Sequence, residues 1–149
     1  MENMNIGKQR IFSPFFVEKG MPDVLLWEVQ EIQNNQLIKI KFKRKEYDGR
    51  QGIRIQTDKG ILIPKLGEKI YRGIVLWVDT SPEEVICKCL TNDGKLSLYN
   101  VWDEGHGQES QLNTSGMKVK QVENTLQYKC NNYDLTGSFN DLSFSLEKL

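Results

Sequence analysis

One histidine, four prolines and three cysteines in 149 residues leave little of the raw material from which common sites are built. With His106 as the sole histidine, no multi-histidine metal centre can form. Cys87-Lys88-Cys89 is not the Cys-x-x-Cys knuckle of structural zinc sites, so no metal and no cofactor is expected. An odd cysteine count, with no export signal in Met1–Lys8, fits reduced thiols and a cytoplasmic location better than a disulfide framework. Long apolar runs are missing too. Val24–Trp27 and Ile74–Val78 fall far short of the roughly 18 residues of a membrane span, and no membrane partner is expected. Net charge is likewise absent, since 20 basic side chains cancel 20 acidic ones, and no overall field draws the chain to a polyanion. The balance is uneven along the chain: residues 1–75 carry 14 Lys/Arg and 9 Asp/Glu, residues 76–149 carry 6 and 11. Basic and acidic patches are therefore permitted.

What remains is an ordinary globular composition, 38% hydrophobic and 27% charged, in a chain of single-domain length. One domain over residues 1–149 is expected, with residues 1–16 a candidate N-terminal arm whose Phe12, Phe15 and Phe16 fold back or meet a partner. The dominant pattern is alternation of apolar and polar residues, the signature of half-buried strands. Ile38, Ile40 and Phe42 alternate with Lys39, Lys41 and Lys43. Residues 70–79 are apolar on both parities, which predicts a central strand covered on two faces. Turn chemistry separates the runs: Asn34-Asn35, Asp48-Gly49, Asp58-Lys59-Gly60, Ser81-Pro82, Asp93-Gly94 and Glu123-Asn124-Thr125. Helix is an alternative after Pro22-Asp23 and at the C-terminus. Strand is preferred in both places, because Asn34-Asn35 reads as a hairpin and Leu142, Phe144 and Leu146 alternate with polar residues. The expected fold is all-β: a single-domain antiparallel β-sandwich or barrel, a meander of about nine or ten short strands with room for one short helix.

Candidate chemistry is sparse. His106, beside Asp103, Glu104 and Ser110 in the long segment Asp103–Gly116, is the one residue from which a hydrolase could be built. No nucleophile elbow or triad spacing surrounds it, and Gly105-x-Gly107 lacks the rest of a phosphate loop. Lys39, Lys41, Lys43, Tyr47 and Arg50, with Arg54 beyond, form a basic and aromatic ribbon that suits single-stranded nucleic acid. The competing reading is that these lysines guard an exposed strand edge, and it is preferred. Tyr99, Trp102, Asp103, Glu104 and His106 are the expected contact surface, combining aromatic anchors with steering charge. The leading expectation is a non-enzymatic protein–protein interaction module, such as an inhibitor, immunity-type or adaptor subunit, with another protein as partner. Alternatives are a small-molecule or carbohydrate-binding β domain, a nucleic-acid binder and the His106 hydrolase.

Overall fold

A computed structural model describes residues 8–45, 49–112, 114–133 and 137–149, and for 44 and 45 the backbone alone. In chain order the elements are β1 (Ile11–Phe12), α1 (Pro14–Glu18), β2 (Leu25–Glu31), β3 (Gln36–Lys45) and β4 (Arg50–Leu62). After a short 3-10 turn at Pro64–Leu66 come β5 (Tyr71–Trp77), β6 (Glu84–Leu90), β7 (Lys95–Asp103) and β8 (Gln108–Ser110). The chain ends with β9 (Gly116–Val122), β10 (Thr125–Asn131) and β11 (Leu142–Lys148). Eight strands close into an antiparallel barrel in the order β2-β9-β10-β11-β3-β6-β4-β7 and back to β2. Closure satisfies both edges of a sheet at once, and an eight-stranded barrel is just wide enough for side chains to fill. β1, β5 and β8 attach outside the ring, to β2, β4 and β7. Among the described residues no helix is long and apolar enough to cross a membrane.

The alternation read from the sequence sorts the barrel wall into inside and outside. Ile38, Ile40 and Phe42 are buried in the core, whereas Lys39 and Lys41 reach carboxylates on neighbouring strands. Cross-strand register places Tyr128, Phe144 and Phe42 side by side on β10, β11 and β3. The Tyr128 and Phe144 rings stack at 4.8 Å, and Phe42 leans on Phe144 at 6.5 Å. Leu142 and Leu146 lie on the same inward face, as the strand reading of the C-terminus requires. Asn35, at φ 67°, makes the tight β2–β3 turn that the Asn-Asn pair forecast.

Cys87 and Cys89 share the inward face of β6, and with Cys130 they are free, fully buried thiols of the core. Burial pushes the Cys87 and Cys89 thiols up to about 12 and the Cys130 thiol well above its ordinary value.

Among the described residues one interior position is charged. Glu28 on β2 is fully buried opposite Leu98 of β7, and its carboxylate accepts from every side. Arg10 donates Nε–H and Nη2–H at 2.7 and 3.1 Å, Tyr128 donates its hydroxyl at 2.7 Å, and Gln30 and the Val29 amide donate at 3.1 and 2.9 Å. The hydrogen bond to Glu28 raises the Arg10 guanidinium above its ordinary value, although burial opposes it. Burial first, then the charge and hydrogen bond of Glu28, keep the Tyr128 hydroxyl protonated far above the usual tyrosine range. Arg10 ties the N-terminal segment to the barrel, and α1 completes the attachment. Ser13 caps α1 by accepting from the Phe16 amide at 3.4 Å, Pro14 starts its first turn, and Phe16 buries against Val24 and Phe139. Ser13-Pro14 is a capping signature that the sequence reading passed over; Pro22-Asp23, the helix start it considered, precedes a strand instead.

Four expectations are corrected. The 70–79 run is not a central strand: β5 lies off the ring, pairs only with β4 among the described residues, and buries Leu76 alone. Apolar residues on both parities record an outer strand half-covered on each face. Asp58-Lys59-Gly60 is not a turn between two strands but a bend inside the 13-residue β4. There the Thr57 hydroxyl accepts from the Gly60 amide at 2.8 Å and donates to the Leu90 carbonyl at 2.8 Å, while Gly60 takes φ 108°. The bend redirects β4 from β7 (residues 50–56) to β6 (residues 60–62). β3 is not an exposed edge, because β11 and β6 pair with it on either side. Asp103–Gly116 is not one long loop, since β8 folds back on β7 through residues 104–107.

Candidate functional site

The expected contact residues do not converge on one surface. Tyr99 faces outward on β7, but Trp102 is fully buried, with its ring 6.3 Å from that of Tyr133, and cannot anchor a partner as it stands. Asp103 accepts from the Gly105 and Gly107 amides at 2.7 and 3.2 Å, which closes the β7–β8 hairpin. Glu104 accepts from the Tyr133 hydroxyl at 2.5 Å. His106 sits exposed between two glycines with positive φ, and none of its hydrogen bonds to Asp103, Glu104 or Ser110 is found among the described residues. His106→Ala is expected to leave the thermal midpoint within about 1–2 °C, since a surface change of this kind alters stability by no more than about 0.5 kcal/mol. A drop of many degrees would show that the imidazole holds the hairpin.

The basic ribbon is also divided. Lys39 pairs with Glu147 at 3.4 Å, and Lys41 lies 3.7 and 3.8 Å from Glu84 and Glu83. Arg50 is held by both oxygens of Asp79, with contacts of 2.9 to 3.2 Å, and lies 4.4 Å over the Trp77 ring. Tyr47 lies outside the described residues. Much of the ribbon's charge is thus neutralised by neighbours on the barrel wall.

A concavity that sequence reading did not assemble lies on the opposite stretch of wall, where β2, β7, β4 and β5 run side by side. It measures about 540 Å³ and is lined by Lys8, Trp27, Arg54, Arg72 and Lys95, together with a single acid, Asp58. Register brings together the members of the grouping that lie on β4 and β7. Arg54 sits opposite Tyr99 on β7 and Val75 on β5, and Gln56 sits opposite Ser97 and Gly73, so these side chains share the outer face. Trp27, from the next strand, stacks on Tyr99 at 5.4 Å with 29° between the rings. The aromatic pair forms a rigid shoulder beside the cations.

Gly73 makes room for the central guanidinium. A Cβ at that position would lie 2.4 Å from Arg54 Nη2 and 2.9 Å from its Cζ, so the Arg54 side chain lies across β5 in space that a larger residue at 73 would occupy. Gln56 steadies it by accepting from Arg54 Nε at 3.3 Å.

Charge in the concavity is incompletely balanced. Lys8 pairs with Asp93, and Lys95 pairs with Glu31 at 2.9 Å. Burial works to raise the Asp58 carboxyl, yet hydrogen bonds from the Thr91 hydroxyl and the Asn92 and Asp93 amides prevail and hold it below the usual range. Asp58 is therefore an anion already engaged by the β6–β7 turn. Arg54 and Arg72 have no carboxylate at ion-pair distance among the described residues. Two guanidiniums in one depression repel each other, and an anion seated between them would reverse that cost.

Two other depressions are less specific. One of about 370 Å³ between β5 and β6 is lined chiefly by apolar residues such as Ile63, Leu66, Ile74 and Ile86. Another of about 410 Å³ contains Lys39, Lys41 and Lys43 but also Glu84, Glu123 and Glu147. Among the described residues no group of three or more His, Cys, Asp or Glu side chains is placed to hold a metal. No family model matches this chain, and no curated protein matches it in sequence.

Proposed function

We propose that this protein is a non-enzymatic binding module that recognises an anionic small molecule through the Arg54–Arg72 concavity. The observation that carries this reading is the pair of guanidiniums with no carboxylate partner among the described residues, set beside a stacked Trp27–Tyr99 shoulder. A depression of about 540 Å³ falls within the size range of ligand sites, roughly 300–1,000 Å³. Its lining of cations, amides and hydroxyls suits binding rather than proton transfer, because its one carboxylate is already engaged. Among the sequence-based alternatives this favours the small-molecule-binding domain over a protein interface at the 103–116 segment, whose anchor Trp102 is buried.

Thermal unfolding in sodium phosphate or sodium citrate, against sodium chloride at matched ionic strength, tests the reading. A bound anion at roughly a hundredfold excess over its Kd stabilises the fold by about 2.7 kcal/mol, which raises the melting point by several degrees. The gain is expected for the wild type and absent in the Arg54→Gln, Arg72→Gln double variant. Equal shifts in both proteins would end the proposal.

A further inference from the structure

We infer that the ligand of this concavity is a nucleoside phosphate, its phosphate held between Arg54 and Arg72 and its base laid against Trp27. The inference rests on the anion-binding reading above and adds the chemical class. Four observations carry it. The guanidiniums come from adjacent strands, β4 and β5, and offer planar donor forks that match phosphate oxygens in pairs. Lys8 and Lys95 are paired with Asp93 and Glu31, so the two guanidiniums set against Asp58 leave a net positive charge for an anionic group to neutralise. Gly73 leaves open the space across β5 that the Arg54 side chain occupies, and Gln56 accepts from its Nε at 3.3 Å. Trp27 lies in the same wall and is braced by Tyr99, so a flat ring meets a platform that is already ordered.

The chemistry is shared by a free mononucleotide and by one nucleotide of a single strand. Isothermal titration of the full chain with adenosine monophosphate, adenosine, inorganic phosphate, citrate and a short oligothymidylate distinguishes them at fixed ionic strength. Adenosine monophosphate is expected to bind roughly tenfold or more tightly than inorganic phosphate, and adenosine far more weakly than either. Arg54→Gln and Arg72→Gln should each weaken the nucleotide by roughly tenfold or more, given what a charged hydrogen bond contributes. Trp27→Leu should remove the advantage of the nucleotide over phosphate while leaving phosphate affinity in place. Circular dichroism and the thermal midpoint check that each variant is folded, and Trp27→Phe repeats the test with an aromatic ring retained. An oligothymidylate that outbinds the mononucleotide assigns the site to a single strand; the reverse assigns it to a free nucleotide, and either supports the inference. Arginine-dependent binding of phosphate and citrate with no gain for the nucleotide would overturn the nucleotide and leave the anion site standing. Failure of every anion to bind would overturn both.

Discussion

Replacing Glu28 with alanine is expected to cost about 1–3 kcal/mol, the range for leaving a buried polar group without its partner. The loss comes less from the attraction to Arg10 than from what the substitution leaves behind. The Tyr128 hydroxyl, buried inside the barrel, loses its acceptor at 2.7 Å, and the Arg10 guanidinium loses the fork that joins the N-terminal segment to β2. Glu28→Gln should be milder, since the amide oxygen still accepts while the amide nitrogen faces donors. Pairing Glu28→Leu with Tyr128→Phe should recover part of the loss, because an apolar pair leaves no unpaired polar atom in the core. Guanidinium denaturation, read as the change in midpoint at constant slope, measures all three. A cost under about 1 kcal/mol for Glu28→Ala would mean that water replaces the carboxylate and that the network is not structural.

Raising the pH above 9 is expected to unfold the protein progressively, through its thiols. In the folded chain Cys87 and Cys89 are pushed from 9.0 up to about 12, and Cys130 and Tyr128 also titrate later than in the unfolded chain. The folded values lie above the unfolded ones, so the protonated thiols contribute stability that is fully present below about pH 9. It is lost as the pH climbs through 9 toward 12. Each thiol that is ionised only in the unfolded chain removes about 1.4 kcal/mol per pH unit, and domains of ordinary stability hold only about 5–15 kcal/mol. Denaturation midpoints should therefore be flat from pH 7 to about 8.5 and fall steeply above 9. The Cys87→Ala, Cys89→Ala variant should show a shallower fall, whatever its stability at neutral pH. A wild-type midpoint unchanged at pH 10.5 would show that the thiols are not sealed in the core.

The sequence carried the class of fold because it is a local property. Alternation on Ile38, Ile40 and Phe42, the Asn34-Asn35 turn and the Leu142–Phe144–Leu146 stripe each involve neighbours along the chain, and each strand sorts its own residues inward or outward. The inward direction of Cys87 and Cys89 was legible for the same reason. Pairing was not. Whether a run such as residues 70–79 lies inside the sheet or outside it depends on which strands close the ring, and Gly60 bends β4 only in the company of Leu90. Loop composition misled in the same way: Gly105 and Gly107 marked a tight hairpin, and Trp102 turned inward beside it.

The candidate site belongs wholly to the tertiary structure. Trp27, Arg54, Arg72 and Lys95 are scattered over four strands, and no spacing between them repeats a motif. Arg54 was visible as one member of a basic cluster, yet Lys39, Lys41 and Arg50 of that cluster are tied to carboxylates elsewhere. Its working partners come from strands that the barrel alone makes adjacent. Glu28 was equally silent in the sequence, an acid in a strand like any other, until closure placed Tyr128 and Arg10 around it. Periodicity along one strand determines which face a side chain takes, whereas charge balance, burial of an acid and the lining of a concavity depend on which faces meet. That is set by the order in which strands close the barrel, a property of the whole chain.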